Sequence, residues 1–153
     1  MIDNFLNKLE ELKPDQKAIW GKMTAQHMVE HLIFTMQLSS GKLKFQCISP
    51  PEKLPALKKF LLSSQPFPKL YINPLIGTEL VQLKYADIKE AIEKLKEEVS
   101  DYNDYFKQNP DAKPVHMIFG ELNKEEWDIV HRKHFTHHLT QFGLVISDSE
   151  EKG

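Results

Sequence analysis

The sequence predicts an all-α domain, a four-helix bundle with one long crossover between its second and third helices. Three observations carry that expectation. Apolar residues recur at helical spacing in four separate stretches, capping and stop residues bracket them, and a proline-punctuated segment at about 42 to 85 divides the second stretch from the third.

Residues 2–12 place Ile2, Phe5, Leu6, Leu9 and Leu12 on one helical face, and Pro14 stops the run. The second helix opens after Gly21. Thr24 suits its N-cap, Met23 and Met28 flank the cap as a hydrophobic staple, and Gly41 suits the position just past its end. From 42 to 85 the periodicity is broken by Pro50, Pro51, Pro55, Pro66, Pro68 and Pro74, leaving one short helical piece at about 52–62. So long a connection in a small domain is functional or a crossover wrapped on the outside. The third helix, at about 86–108, aligns Ile88, Ile92, Leu95, Val99, Tyr102 and Phe106, and Asn109-Pro110 closes it. After a short loop, Asn123 caps the fourth helix, Glu126 completes a capping box, and Gly143 ends it. Residues 1–145 are read as one domain and 146–153, ending SDSEEKG, as a flexible acidic tail.

Composition excludes several functions. Twenty basic against 22 acidic side chains leave a formal charge of −2, with no basic excess to neutralise a phosphate backbone, so no nucleic-acid partner is expected. Cys47 stands alone, which rules out an intrachain disulfide or a thiolate zinc cluster and reads as a small loop hydrophobe. The opening MIDNFLNKLEELK lacks the features of a signal peptide, and no apolar run approaches the ~20 residues of a membrane span. A cytoplasmic protein acting on a small molecule is the expectation. The chain shows no nucleotide-binding glycine loop and no credible Ser–His–Asp spacing.

The chemistry concentrates in HFTHHLTQFGL, residues 134–144. At about 100° per residue, Trp127, Val130, His131, His138 and Gln141 fall within about 60° of His134. Phe135, Leu139 and Phe142 fill the flank, and Arg132, Lys133, Thr136 and Thr140 face the solvent side. The histidines therefore occupy the stripe that should be most buried, and imidazoles buried without partners are costly. His134 and His138, one turn apart, can converge on one ion, with His31 from the second helix as a third ligand beside Met28 and Thr35. Three histidines leave a coordination position open, the pattern of a catalytic site. The bland alternative is a set of core histidines satisfied by hydrogen bonds and water. His131 lines the site or bonds structurally, and His137 is either supporting or half exposed.

Three motifs carry a resemblance. They are WGKMTAQHMVEH (20–31), an H-x-x-F-G at His116–Gly120, and the ending from Glu126 to Leu144 with its K-H-x-x-H-H-x-x-Q-F-G-L pattern. On these, across nearly the whole chain, the sequence resembles the DinB/YfiT-like superfamily of small metalloproteins. The resemblance implies an up-down-down-up topology, often as a homodimer, and a zinc, nickel or iron ion on His31, His134 and His138. Characterised relatives include bacillithiol S-transferases and a mycothiol-dependent maleylpyruvate isomerase. Many members carry His-Arg-Gly-Gln where this chain reads His138-Leu139-Thr140-Gln141, so the arginine and any anion-binding role it has are lost.

The resulting expectation is a thiol-dependent S-transferase or isomerase with a low-molecular-weight thiol such as bacillithiol as co-substrate. Gln141 supports His138 or the thiol. His116 and Glu30 are candidates for proton transfer, with a structural hydrogen bond in a packed turn at Phe119-Gly120 as the alternative for His116 and a solvated surface carboxylate as the favoured alternative for Glu30. The alternatives are a non-catalytic metal-binding or accessory module, and a hydrolase using metal-activated water. A separate motif, His27-Met28-Val29-Glu30-His31, reads as the H-x-x-E-H of inverzincin proteases and makes His27 a test residue, although those enzymes need a far longer chain.

Overall fold

The computed structural model describes residues 2–68 and 80–144. Among them are helices α1 (Ile2–Leu9), α2 (Ala25–Ser39), α3 (Leu54–Leu62), α4 (Ile88–Gln108) and α5 (Lys124–Gln141), a 3₁₀ turn at Pro51–Lys53, and strands β1 (Val115–His116) and β2 (Gly120–Glu121). The strands pair antiparallel, Val115 opposite Glu121 and His116 opposite Gly120. This overturns the all-α, up-down-down-up four-helix bundle expected from the sequence. Among the described residues there are five helices, 56% of the residues are helical, and a two-stranded antiparallel sheet is present, so the structure is mixed α/β.

Each departure has a physical cause. The crossover prolines break periodicity, yet Pro51 is the first residue of the 3₁₀ turn and Pro55 the second of α3, within the first turn where a missing N–H costs no intrahelical bond. The short helical piece thereby becomes a full helix that buries Leu61 completely and packs on α5. The hairpin has strands of two residues each, too short for any alternation to be visible. His116 Nδ1 accepts the Ile118 and Phe119 N–H groups at 3.0 and 3.3 Å, so a side chain organises this turn.

The helix ends follow the sequence closely. Thr24 accepts the His27 N–H (3.2 Å), Asp87 accepts that of Glu90 (2.8 Å), and Asn123 and Glu126 form a reciprocal capping box at 2.9 Å each. Gly41 and Gly143 follow α2 and α5 with φ of +74° and +76°. The run after α1 tightens to i→i−3 bonds at Glu10, Glu11 and Leu12, which ends the helix at Leu9 while still burying Leu12.

α2 lies along α4, and α1 packs against α5 and α4. Their shared core includes Phe5, Leu9, Met28, Leu32, Met36, Leu95, Tyr102, Trp127, Phe135 and Leu139. Lys133 departs from its expected solvent position. It is buried, with Nζ donating to the Phe60 carbonyl (3.3 Å) and standing over the rings of Phe60 and Phe67 at 5.2 and 5.9 Å. No helix among the described residues is long and apolar enough to cross a membrane. The expected tail at 146–153 and Pro74 of the crossover lie outside the described residues.

Candidate functional site

His31 comes from the middle of α2, and His134 and His138 from successive turns of α5. His134 Nε2 stands 2.9 Å from His31 Nε2 and 3.0 Å from His138 Nε2. All three candidate ligand atoms lie within 4.8 Å of one another. His138 is buried and the other two are half-buried.

Burial dominates their protonation. It lowers the His31 imidazole to about 4, helped by His137, and holds His134 and His138 well below the usual histidine range with neighbouring imidazoles adding to the effect. All three are therefore neutral at physiological pH. His138 Nδ1 lies 2.7 Å from Gln141 Oε1, and the other end of that amide donates to the Trp20 carbonyl at 2.9 Å. An acceptor facing Nδ1 requires the proton there, so His138 Nε2 presents a lone pair.

Hydrogen bonds alone do not satisfy the trio. If His134 Nε2 carries a proton to share between its two neighbours, its buried Nδ1 is a bare acceptor that meets no partner among the described residues. If Nε2 is bare instead, it faces the lone pair of His138 at 3.0 Å. A divalent cation accepts all three Nε2 lone pairs at once and so removes the lone-pair conflict, while His134 Nδ1 then carries the proton and still meets no partner among the described residues. Ligand nitrogens around a tetrahedral zinc stand about 3.3 Å apart, close to the two separations that His134 Nε2 makes. An all-imidazole donor set suits zinc, nickel and iron.

The crossover supplies one wall. Phe67, from the Pro66-Phe67-Pro68 segment, lies 6.5 Å from the His134 ring and stacks between Phe60 (6.4 Å) and Phe119 (6.1 Å). On the other flank His137 packs edge-on against His138 (4.8 Å) and Trp20 (5.7 Å).

The remaining candidates are engaged elsewhere. His131 is fully buried between Trp127 (5.5 Å) and Tyr102 (4.9 Å), and its Nε2–H donates to the Ser39 hydroxyl at 2.8 Å, which in turn donates to the Met36 carbonyl. Burial lowers it to about 3. His116 packs on Phe119 and Trp127 at 4.8 and 5.3 Å while accepting its two turn N–H groups, and burial lowers it to about 4. Glu30 accepts from the backbone N–H groups of Lys84 (2.8 Å) and Tyr85 (3.3 Å) and from Gln26 (3.0 Å), pinning the end of the crossover to α2. His27 Nε2–H donates to the Val81 carbonyl at 3.0 Å and its Nδ1 meets the Thr24 hydroxyl, so among the described residues it stands outside the three-histidine cluster. Sequence reasoning missed the Ser39–His131 pair and the aromatic seat of Lys133. Both are tertiary contacts with no periodic signature.

No curated protein and no solved structure matches this chain significantly. A family described as "Protein of unknown function (DUF1569)" matches residues 2–143, and the chain belongs to that family.

Proposed function

We propose that this chain is a metal-dependent protein of the DinB/YfiT type that carries out thiol S-transfer or isomerisation, with His31, His134 and His138 holding a zinc, nickel or iron ion. The observation that supports this most directly is the convergence of three neutral imidazoles, one with its tautomer set by Gln141, on a single point. Such an ion, when bound, supplies a positive charge beside which a low-molecular-weight thiol such as bacillithiol ionises near neutral pH. The protein's own contribution is threefold. Its ligands are uncharged and do not cancel that charge, Gln141 holds His138 in the ligating orientation, and Phe67 with Phe119 screens one side of His134 from water.

A second reading, a metal-binding module without catalysis, has its own support. Glu30 and His116, the two candidates for proton transfer, are both occupied by backbone N–H groups. Elemental analysis of the wild type beside His31→Ala, His134→Ala, His138→Ala and His27→Ala tests the site. About one ion per chain in wild type and His27→Ala, and loss in the other three, is expected. Turnover of model electrophiles that appears only with added thiol then favours the transferase. Turnover indifferent to thiol favours a hydrolase, and none at all favours the module. Wild type that takes up no metal on reconstitution would sink the proposal.

A further inference from the structure

The segment between α1 and α2 doubles back over the C-terminal end of α5. Gln16 Nε2 donates to the Phe142 carbonyl, the Ile19 N–H donates to the Gln141 carbonyl at 2.7 Å, and Lys17 bridges to Thr24 across the segment. Two backbone-directed bonds thus already hold this segment down. The buried Gln141 side chain adds a third link of a different kind, from the Trp20 carbonyl (2.9 Å) to His138 Nδ1 (2.7 Å).

A carboxamide donates from one end and accepts at the other, so fixing one end fixes the other. Trp20 offers a carbonyl, which accepts only. The amide nitrogen must therefore face Trp20 and its oxygen must face the imidazole. Gly21 makes that approach possible. A Cβ at this position would stand 2.9 Å from Gln141 Nε2, and the φ of +83° is one that residues with a side chain rarely adopt.

We infer that the Trp20–Gly21 turn is a positioning element for the three-histidine centre: by orienting the Gln141 amide it holds His138 in the Nδ1–H tautomer and presents Nε2 as a ligand. This rests on the metal reading proposed above. Neither residue is a ligand, and both act through Gln141.

The test compares wild type with Gly21→Ala, Gln141→Met and Gly41→Ala. Gly41 has nearly the same backbone conformation (φ +74°) but lies against Tyr105, so its variant controls for backbone strain alone. Two quantities are read. One is zinc affinity by competition with a chromophoric chelator, and the other is the His138 tautomer in metal-free protein by long-range proton–nitrogen NMR correlation. Gly21→Ala and Gln141→Met should each weaken zinc binding about 10–100-fold, the range for lost supporting bonds to a ligand, and turn the single Nδ1–H form into a mixture. Gly41→Ala should change neither. Wild-type affinity and an unshifted tautomer in both site variants would overturn the inference. If Gly21→Ala does not fold, Gln141→Met decides in the same way. If wild type itself binds no zinc, the metal reading fails, and the tautomer alone decides whether the turn sets His138.

Discussion

His31 and His134 meet nitrogen to nitrogen at 2.9 Å although 103 residues separate them. Helix geometry can explain why His134 and His138 are neighbours, but only the packing of α2 on α5 brings His31 to them. The centre is therefore a property of the folded chain, and any ion held there would be linked to its stability.

Zinc at about 100 times its dissociation constant should stabilise the fold by about 2.7 kcal/mol. For a domain of this size that is a rise in melting temperature of roughly 5–10 °C. A chelator should reverse it, and His138→Ala should show no rise. Calorimetry with and without zinc measures both, and an equal rise in His138→Ala would point to binding elsewhere.

The core histidines make metal-free protein acid-sensitive. His131 titrates near 3 and His116 near 4 when folded, because burial disfavours the imidazolium, against about 6.5 unfolded. The unfolded chain thus binds more protons between those values. Their stabilisation is complete above pH 6.5 and is lost as pH falls towards 3–4. From pH 7 to pH 5 each should cost about 2 kcal/mol. Urea denaturation of chelator-treated protein at the two pH values should show this loss, and His131→Phe should lose about 2 kcal/mol less. An identical pH dependence would mean His131 is solvated.

Glu98 works in a lower pH window. It is 1% exposed, and burial alone would raise its carboxyl, but Lys42 (3.0 Å), Gln37 (3.3 Å) and Lys94 (3.1 Å) outweigh that and hold it below the usual carboxylate range. Its stabilisation is present above about pH 4.5 and is lost as pH falls further. Glu98→Gln should flatten the stability profile below pH 4.5 and leave the histidine-dependent slope above pH 5 intact. A changed slope above pH 5 would contradict this separation.

Glu30→Ala removes the acceptor of two backbone N–H groups and should cost about 1–3 kcal/mol, with metal content unchanged. Denaturation and elemental analysis check both. The opposite pattern, intact stability with lost turnover, would make Glu30 part of the chemistry.

What the sequence revealed was whatever is local or periodic. Thr24, Asn123–Glu126 and Gly41 announce their helix ends because caps are short-range. His134 and His138 announce themselves because one turn of helix fixes their separation. The crossover's helix was half hidden by prolines that proved compatible with helix starts. The turn at His116–Gly120 is announced by Phe119-Gly120, whereas strands β1 and β2 are invisible because two residues each are too short to alternate. Lys133 was misplaced on the solvent side because α3 and Phe67 cover that flank of α5. Cys47, read as a loop hydrophobe, is half-buried with Sγ near the Ile118 carbonyl, a setting that only the fold shows.

The Gln141–Trp20 bond joins residues 121 positions apart, and with it the first and last parts of the chain meet at the histidines. A chain emerging from the ribosome exposes His31 early, but its partners lie on α5, about a hundred residues later. Contacts of such long sequence separation form late. The three imidazoles can therefore meet only after α5 has been made. A truncated product lacking α5 carries His31 alone from the trio and cannot sequester an ion at this centre.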